Sequence, residues 1–449
     1  MNARECLIRG GRALTSTGLE RVDVRVAEGM IVEVGPALSS GAGADEIDAT
    51  GQLVLPGVFD AHVHFNEPGR AHWEGFTTGS RALARGGGTS FVDMPLNASP
   101  PTIDRESFAQ KRAAGEAASV LDFALWGGLV PENLDRLEEL AGCGVVGFKA
   151  FMIDSGIADF PGVDAAVLRA GMKIVAGLGL PVAVHAEDSA LIAARTAAVR
   201  AAGRRDVRAF LDSRPVESEL EAVRVALDLA GETGCALHVV HVSSPAAIAM
   251  VAAAKAGGLD VTAEVCPHHL LLDEAAMFAH GALAKCAPPL RDAATREALW
   301  REMLAGRVDC IGSDHSPAPP DMKQGDDMFA VWGGIMGCQH GFLLLLDALD
   351  DMRLPAAWEL VSARPAARLG FGDRKGRIAP GFDADLIFIE RTEPREITVE
   401  ELRYRHPTSP YVGRKIASRV ARSLLRGSEV PLDAQGLPSG GGRFLSRIV

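Results

Sequence analysis

Four apolar runs in this chain each end in a residue able to hold a metal ion, and that repeat restricts the fold more than any other feature. Gly51–Asp60 leads into His62-Val63-His64, and Val182-Ala183-Val184 runs into His185. Leu237–Val240 ends at His241, and Val308–Ser313 ends at Asp314. Side chains alternate along an extended segment, so His62 and His64 point the same way. Lys149 sits in a further apolar stretch, Gly147–Met152. Strands that each deliver a ligand-type residue at one end fit a parallel barrel, which gathers its site at one rim. One histidine closing an apolar run is more often a hydrogen-bonded core residue than a ligand; the recurrence carries the reading. His72, His238, His268, His269, His280, His315, His340 and His406 lack it and read as ordinary histidines.

The texture of the chain changes twice. Over residues 1–53, Leu7-Ile8, Val22–Val26 and Met30–Val34 read as short strands, punctuated by Gly10-Gly11, Gly29 and Gly35-Pro36. From 54 to 370, strand-like runs (Thr89–Asp93, Phe123–Trp126, Val145–Phe148, Leu259–Ala263) alternate with helical ones (Ser107–Ala118, Val163–Leu178, Ser218–Thr233). Such alternation predicts βαβ units and a parallel sheet. From 371 to 449 the chain returns to strands, at Asp383–Ile389 and Ile416–Leu425, and Ser439–Gly442 reads as a mobile tail. The expected fold is α/β: a (β/α)8 TIM-type barrel over 54–370, with a small β-sandwich domain built from both termini, 1–53 plus 371–449.

Bulk properties narrow the partners. A net charge of -12 excludes nucleic acid or an anionic membrane as the main partner. The seven cysteines lack CxxC spacing and read as reduced thiols. The N-terminus shows no apolar signal region, and no stretch is apolar enough to span a bilayer. A cytoplasmic protein acting on a small molecule is expected.

If His62, His64, Lys149, His185, His241 and Asp314 converge, the lysine is the odd member, because an ammonium is repelled by a dication site. A neutral lysine there can take up carbon dioxide as a carbamate, whose two oxygens bridge two divalent ions about 3.5–4 Å apart. The other reading of Lys149 is a packed stem with its amine snorkelling to water. Two bridged metals suit hydrolysis of a C–N bond, with Asp314 binding one ion and moving the proton to the leaving nitrogen. Zinc suits imidazole and oxygen ligands, and cobalt, manganese or iron also fit. A serine hydrolase is disfavoured, since no G-x-S-x-G occurs.

Further segments carry a family resemblance: Pro56–His64, Asn66–Arg70, Trp73–Phe76, Met94–Asn97, Gly147–Lys149, Val184–Glu187 and His241–Ser244. Cys266–His269, Ala287–Arg291, Ser313–Pro317, Gly376–Gly381 and Ser409–Gly413 continue the series. With them the chain resembles the amidohydrolase superfamily, in the cyclic-amide branch of dihydroorotase, hydantoinase/dihydropyrimidinase and allantoinase, and most closely the allantoinase group. The resemblance implies His62, His64 and Asp314 on one metal, His185 and His241 on the second, and carboxylated Lys149 between them. It implies opening of the (S)-allantoin ring to allantoate, in a homo-oligomer with a tetramer favoured. Ala287 and Gly333 match backbone positions that hold the ring amide, and Ser316 and Asn66 are placed to reach the ureido arm. Two departures weigh against the sister activities. Asn66 stands where dihydroorotases carry a carboxylate-clamping arginine, and Asp154 where hydantoinases carry an oxyanion-stabilising tyrosine. A hydantoinase and a non-catalytic scaffold of the same fold are the rival readings.

Overall fold

Eight parallel strands occupy the centre of the molecule, a computed structural model that describes residues 5–39, 45–432 and 440–447. They are β1 (Val58–Val63), β2 (Gly88–Asp93), β3 (Asp122–Leu125), β4 (Phe148–Phe151), β5 (Pro181–His185), β6 (Ala236–Val239), β7 (Val261–Val265) and β8 (Cys310–Ile311). Backbone pairing runs β3-β2-β1 and β4-β5-β6-β7-β8. Two junctions join these sheets into a ring. Gly127-Gly128, which follows β3, pairs with β4, and Val63 at the end of β1 bridges to His315 beyond β8. The His64 amide donates to the His315 carbonyl at 2.8 Å, zipping the ends of β1 and β8 together.

Almost every residue of these strands is buried, as expected where helices cover one face and barrel interior fills the other. Phe59, Ala61, Val92, Ala124, Trp126 and Ala183 pack into a separate inner cluster. Helices Arg105–Ala118, Ala165–Gly177 and Val216–Thr233 coincide with the predicted helical runs to within two residues at each end. Caps explain several starts: Asp104, Asp164, Asp188 and Ser244 each accept from backbone N–H groups of the first turn. The last two follow His185 and His241 by three residues, so the turn beyond each histidine is short and fixed.

The strand expected over Val145–Phe148 is displaced: β4 begins at Phe148, and Val145 and Val146 are buried ahead of it. An apolar run buried on both faces has no alternation to mark its ends. The C-terminal stretch is also corrected. Ser439 lies outside the described residues, but Gly441 and Gly442 are pinned by Arg426 and the Ser119 carbonyl, and Phe444 bridges to Phe123 of β3. Phe444 also packs edge-on against Phe108 and Phe123, so apolar anchoring beyond the glycines overrides their local freedom.

The remaining strands form two sheets. One has the order Met30–Gly35, Asp23–Ala27, Cys6–Arg9, Asp45–Asp48; the other joins Ser428–Glu429, Lys415–Leu425, Leu386–Glu396, Leu53–Pro56, Arg12–Thr15 and Gly18–Glu20. Ile8, Val24, Val26 and Ile31 of the first meet Val54, Leu386, Phe388 and Leu424 of the second in one apolar cluster. A buried ionic knot ties this part to the barrel. Lys375 Nζ lies 2.7 Å from Asp122 of β3, 2.9 Å from Asp383 and 2.6 Å from Asp385.

Candidate metal centre

The six residues expected to converge do so at the C-terminal rim of the barrel. His62, His64, Lys149, His185 and His241 are buried, and the Asp314 side chain is 13% exposed. Nε2 of His62 and of His64 each lie 3.3 Å from Asp314 Oδ1. The rings of His185 and His241 are 4.7 Å apart, and that of His241 is 5.5 Å from His62.

Local backbone explains the aim of each group. A register slip between Asp60 and Val63 falls at His62, and such irregularities re-aim side chains at barrel rims. His241 and Asp314 lie two and three residues past their strands with φ of +41° and +44°, values costly for non-glycine residues and common where function demands them. In β4, Lys149 points inward while Phe148 and Ala150 join the cluster under the helices.

Carboxylates behind the histidines fix which nitrogen faces the centre. His62 Nδ1 meets Glu264 Oε1 at 2.7 Å, and Glu264 also engages His238 at 3.3 Å. His185 Nε2 meets Glu187 Oε2 at 2.8 Å, and Glu187 is paired in turn with Arg214. Nε2 of His62 and Nδ1 of His185 are thereby left for a ligand. The sequence reading assigned Glu264 and Glu187 no role. A carboxylate inside the apolar run Val261–Val265, and one two residues after a ligand-type histidine, were the available signals.

The electrostatics match. Burial pushes the Lys149 amine down to about 7, and its Nζ has no hydrogen-bond partner. Burial also lowers His64 and His185 and drives His241 well below the ordinary range. For Asp314, burial opposes ionisation, but the imidazoles of His62 and His64 outweigh it and hold the carboxyl well below its usual value. Burial that disfavours charge on His64, His185, His241 and Lys149, beside a carboxyl held in its ionised form, favours the states that bind a divalent cation. The buried, unpartnered Nζ of Lys149 and Nδ1 of His241 are groups that an enclosed cation site accounts for. The donor set fits a divalent metal.

Two other groups of potential ligands differ. Asp122, Asp383 and Asp385 already surround Lys375. Cys266, His268 and His269 offer donors within 4.8 Å of one another, with His269 Nε2 spent on the Pro288 carbonyl.

A cavity of about 620 Å³ opens onto the cluster, with Ala287, Ser316, Gly333 and Asp154 in its lining. Asn66 is not in the lining: it is buried, and its amide donates to the Pro317 carbonyl at 3.2 Å. Asn97, with φ of +68°, lines the cavity instead. His315 points away from the cluster; its Nδ1 accepts from the Gly337 amide and its ring stacks on Tyr404 at 5.0 Å.

A model of the amidohydrolase family matches residues 53–427. The chain is 51% identical over 451 residues to the allantoinase of Rubrobacter xylanophilus, covering 99% of this chain and 98% of that protein. It is 48% identical over 429 residues to the allantoinase of Solibacter usitatus, covering 95% and 93%. Among solved structures, the L-hydantoinase (dihydropyrimidinase) of Arthrobacter aurescens superposes with a TM-score of 0.95 at 30% identity, over 99% of this chain and all of that one (100%). The dihydropyrimidinase of Brevibacillus agri gives 0.90 at 28%, over 99% and 98%. With a match this long joined to a rim of ligand-type residues, this chain belongs to the amidohydrolase family.

Proposed function

We propose that this chain hydrolyses a cyclic amide, opening the hydantoin ring of (S)-allantoin to give allantoate. One observation carries the chemistry: the unpartnered Lys149 nitrogen buried among four imidazoles and Asp314. The substrate follows from the near full-length relatives that bear the allantoinase name.

In this reading His62, His64 and Asp314 hold one divalent ion and His185 and His241 the other, zinc by default. Lys149 would join both ions as a carbamate, formed when its neutral nitrogen adds to carbon dioxide and releases one proton. Ions bound there lower the pKa of attacking water and polarise the amide carbonyl. Asp314 would accept the proton of the attacking water and deliver it to the ring nitrogen as the C–N bond breaks. Backbone groups at Ala287 and Gly333 hold the ring amide, and Ser316 reaches the ureido arm. Asn66 spends its amide on Pro317, so the polar contact proposed for it passes to Asn97. The two terminal sheets make up a β-sandwich domain, 1–53 plus 371–449, beside the barrel over 54–370. A cytoplasmic homotetramer is the proposed state; seven free thiols suit a reducing compartment, and no helix among the described residues is long and apolar enough to cross a membrane.

A second reading, hydrolysis of 5-substituted hydantoins, is favoured by the apolar lining Phe151, Ile153, Phe210, Phe329, Val331 and Trp332. Metal-reconstituted protein in bicarbonate buffer, offered allantoin, dihydrouracil, dihydroorotate and 5-benzylhydantoin, separates the two. Allantoin is expected to turn over best; faster cleavage of the benzyl compound would transfer the assignment to a hydantoinase. Glu264→Ala frees the His62 ring and is expected to weaken metal binding about 10–100-fold, read as metal retained after dialysis against chelator. Retention equal to the parent would deny Glu264 that orienting role.

A further inference from the structure

Two lysines outside the metal cluster are built into the wall of the same cavity. Lys285 is buried in the lining, 4.8 Å from the Phe210 ring centroid, and its Nζ donates to the Val331 carbonyl at 2.5 Å. Its own carbonyl accepts from the Gly334 amide at 2.7 Å, so one residue holds both ends of Val331–Gly334. Lys323 is buried behind them; its Nζ donates to the Ala282 carbonyl at 3.1 Å and to the Gly334 carbonyl. Buried lysines are rare and are normally spent on carboxylates. Among the described residues neither forms such a pair, and both give their protons to backbone carbonyls of one short strap. Burial lowers Lys285 to about 8 and Lys323 to about 7, a cost the chain bears for those bonds.

The strap is itself under close constraint. The Trp332 amide donates to the Met322 carbonyl at 2.8 Å, and its ring lies 5.1 Å from that of Trp73. A Cβ on Gly334, which has φ of +120°, would approach the Ser316 carbonyl oxygen to 2.3 Å. The strap is therefore pressed onto the residues that follow Asp314. Lys285 stands two residues before Ala287, so a single short segment supplies one backbone group to the cavity and grips the segment that supplies the other.

We propose that Lys285 and Lys323 are positioning residues that clamp the Val331–Gly334 strap at a set distance from Ala287, so that the Gly333 and Ala287 backbones hold a ring amide between them. The inference rests on the cyclic-amide reading above. Lysine suits the task because one nitrogen on a long arm carries three donors and can satisfy converging carbonyls. Methionine fills similar space and satisfies none.

The test uses metal-loaded Lys285→Met and Lys323→Met, with Lys285→Arg as the variant that keeps a donor in place. Each methionine variant is expected to raise KM for the preferred ring amide about tenfold with kcat within about threefold, the scale of one lost buried hydrogen bond. Metal content stays unchanged, amide exchange over 329–335 quickens, and Lys285→Arg recovers most of the KM. Unchanged exchange and KM in both methionine variants would overturn the clamp, as would a fall in kcat accompanied by metal loss. Amide exchange needs no substrate, so a parent protein that cleaves none of the ring amides sinks the functional reading while the clamp is still tested.

Discussion

Lys149→Ala is expected to lower turnover at least about a thousandfold and to reduce bound metal, while leaving the fold intact. The nitrogen removed has no hydrogen-bond partner and is buried beside His185, His241 and Asp314. Its loss leaves no donor or acceptor orphaned in the protein, and the stability change is confined to the space vacated by the stem. The proposed carbamate, however, would supply negative charge between the ion held by His62, His64 and Asp314 and the ion held by His185 and His241. Without it two dications face each other across neutral imidazoles, and the several kcal/mol that a paired-ion site contributes to hydrolysis is lost. Steady-state kinetics, metal analysis and thermal unfolding on one preparation check all three parts. A variant that retains more than a tenth of parental activity would rule out a bridging role, and one that fails to fold would show Lys149 to be structural. A matching dependence on carbon dioxide is expected: parent protein reconstituted without bicarbonate shows lower activity, restored when bicarbonate is added.

Lys375→Met is expected to produce the largest loss of stability, about 3–5 kcal/mol, with the metal cluster untouched. Lys375 is 1% exposed and meets Asp122, Asp383 and Asp385, all within 2.9 Å. Removing the ammonium leaves three carboxylates in a dry pocket, with Arg426 on Asp122 and Arg374 on Asp383 as the remaining cations. Asp122 belongs to β3, whereas Asp383 and Asp385 precede strand Leu386–Glu396, so the knot joins barrel to terminal sheets. Repulsion there pulls at that junction, and unfolding is expected to begin with it. Urea titration followed by intrinsic fluorescence measures the effect. A loss below about 1 kcal/mol would mean that the carboxylates take up protons or admit water, and that the knot is not what holds the two parts together.

Legibility in the sequence followed burial and period. Apolar runs separated by amphipathic stretches made the alternation of strand and helix readable, and Asp104, Asp164 and Ser244 cap three of those helices with side-chain acceptors, whereas Pro215 before Val216–Thr233 offers none. Strand limits were less readable: β4 and the residues ahead of it are buried on both faces, so no alternation in Val145–Phe151 marks where it begins. The described glycines of the terminal tail were misread as mobile, since they are held by Arg426 on the Gly441 carbonyl and by Phe444 against the distant Phe123, contacts that composition does not show.

The site divides in the same way. His62, His64, Lys149, His185, His241 and Asp314 were identifiable because a ligand-type group at the end of an apolar strand is a local pattern, and a barrel places all such ends on one rim. Their supports were not identifiable, since Glu264 lies 202 residues from His62 and the pair exists only once β7 lies near β1. The same holds for Asn66, which reads as a substrate contact until the fold gives its amide to Pro317, 251 residues away. The strap at Val331–Gly334 and its two lysines likewise become neighbours through closure of the loops alone. Sequence by itself determined the ring of strands and the ligand-type residues gathered at its rim, because both rest on short-range patterns. Which nitrogen each histidine offers, and how the cavity above them is shaped, only the tertiary structure decided, because hydrogen bonds between residues hundreds of positions apart leave no periodic trace in the chain.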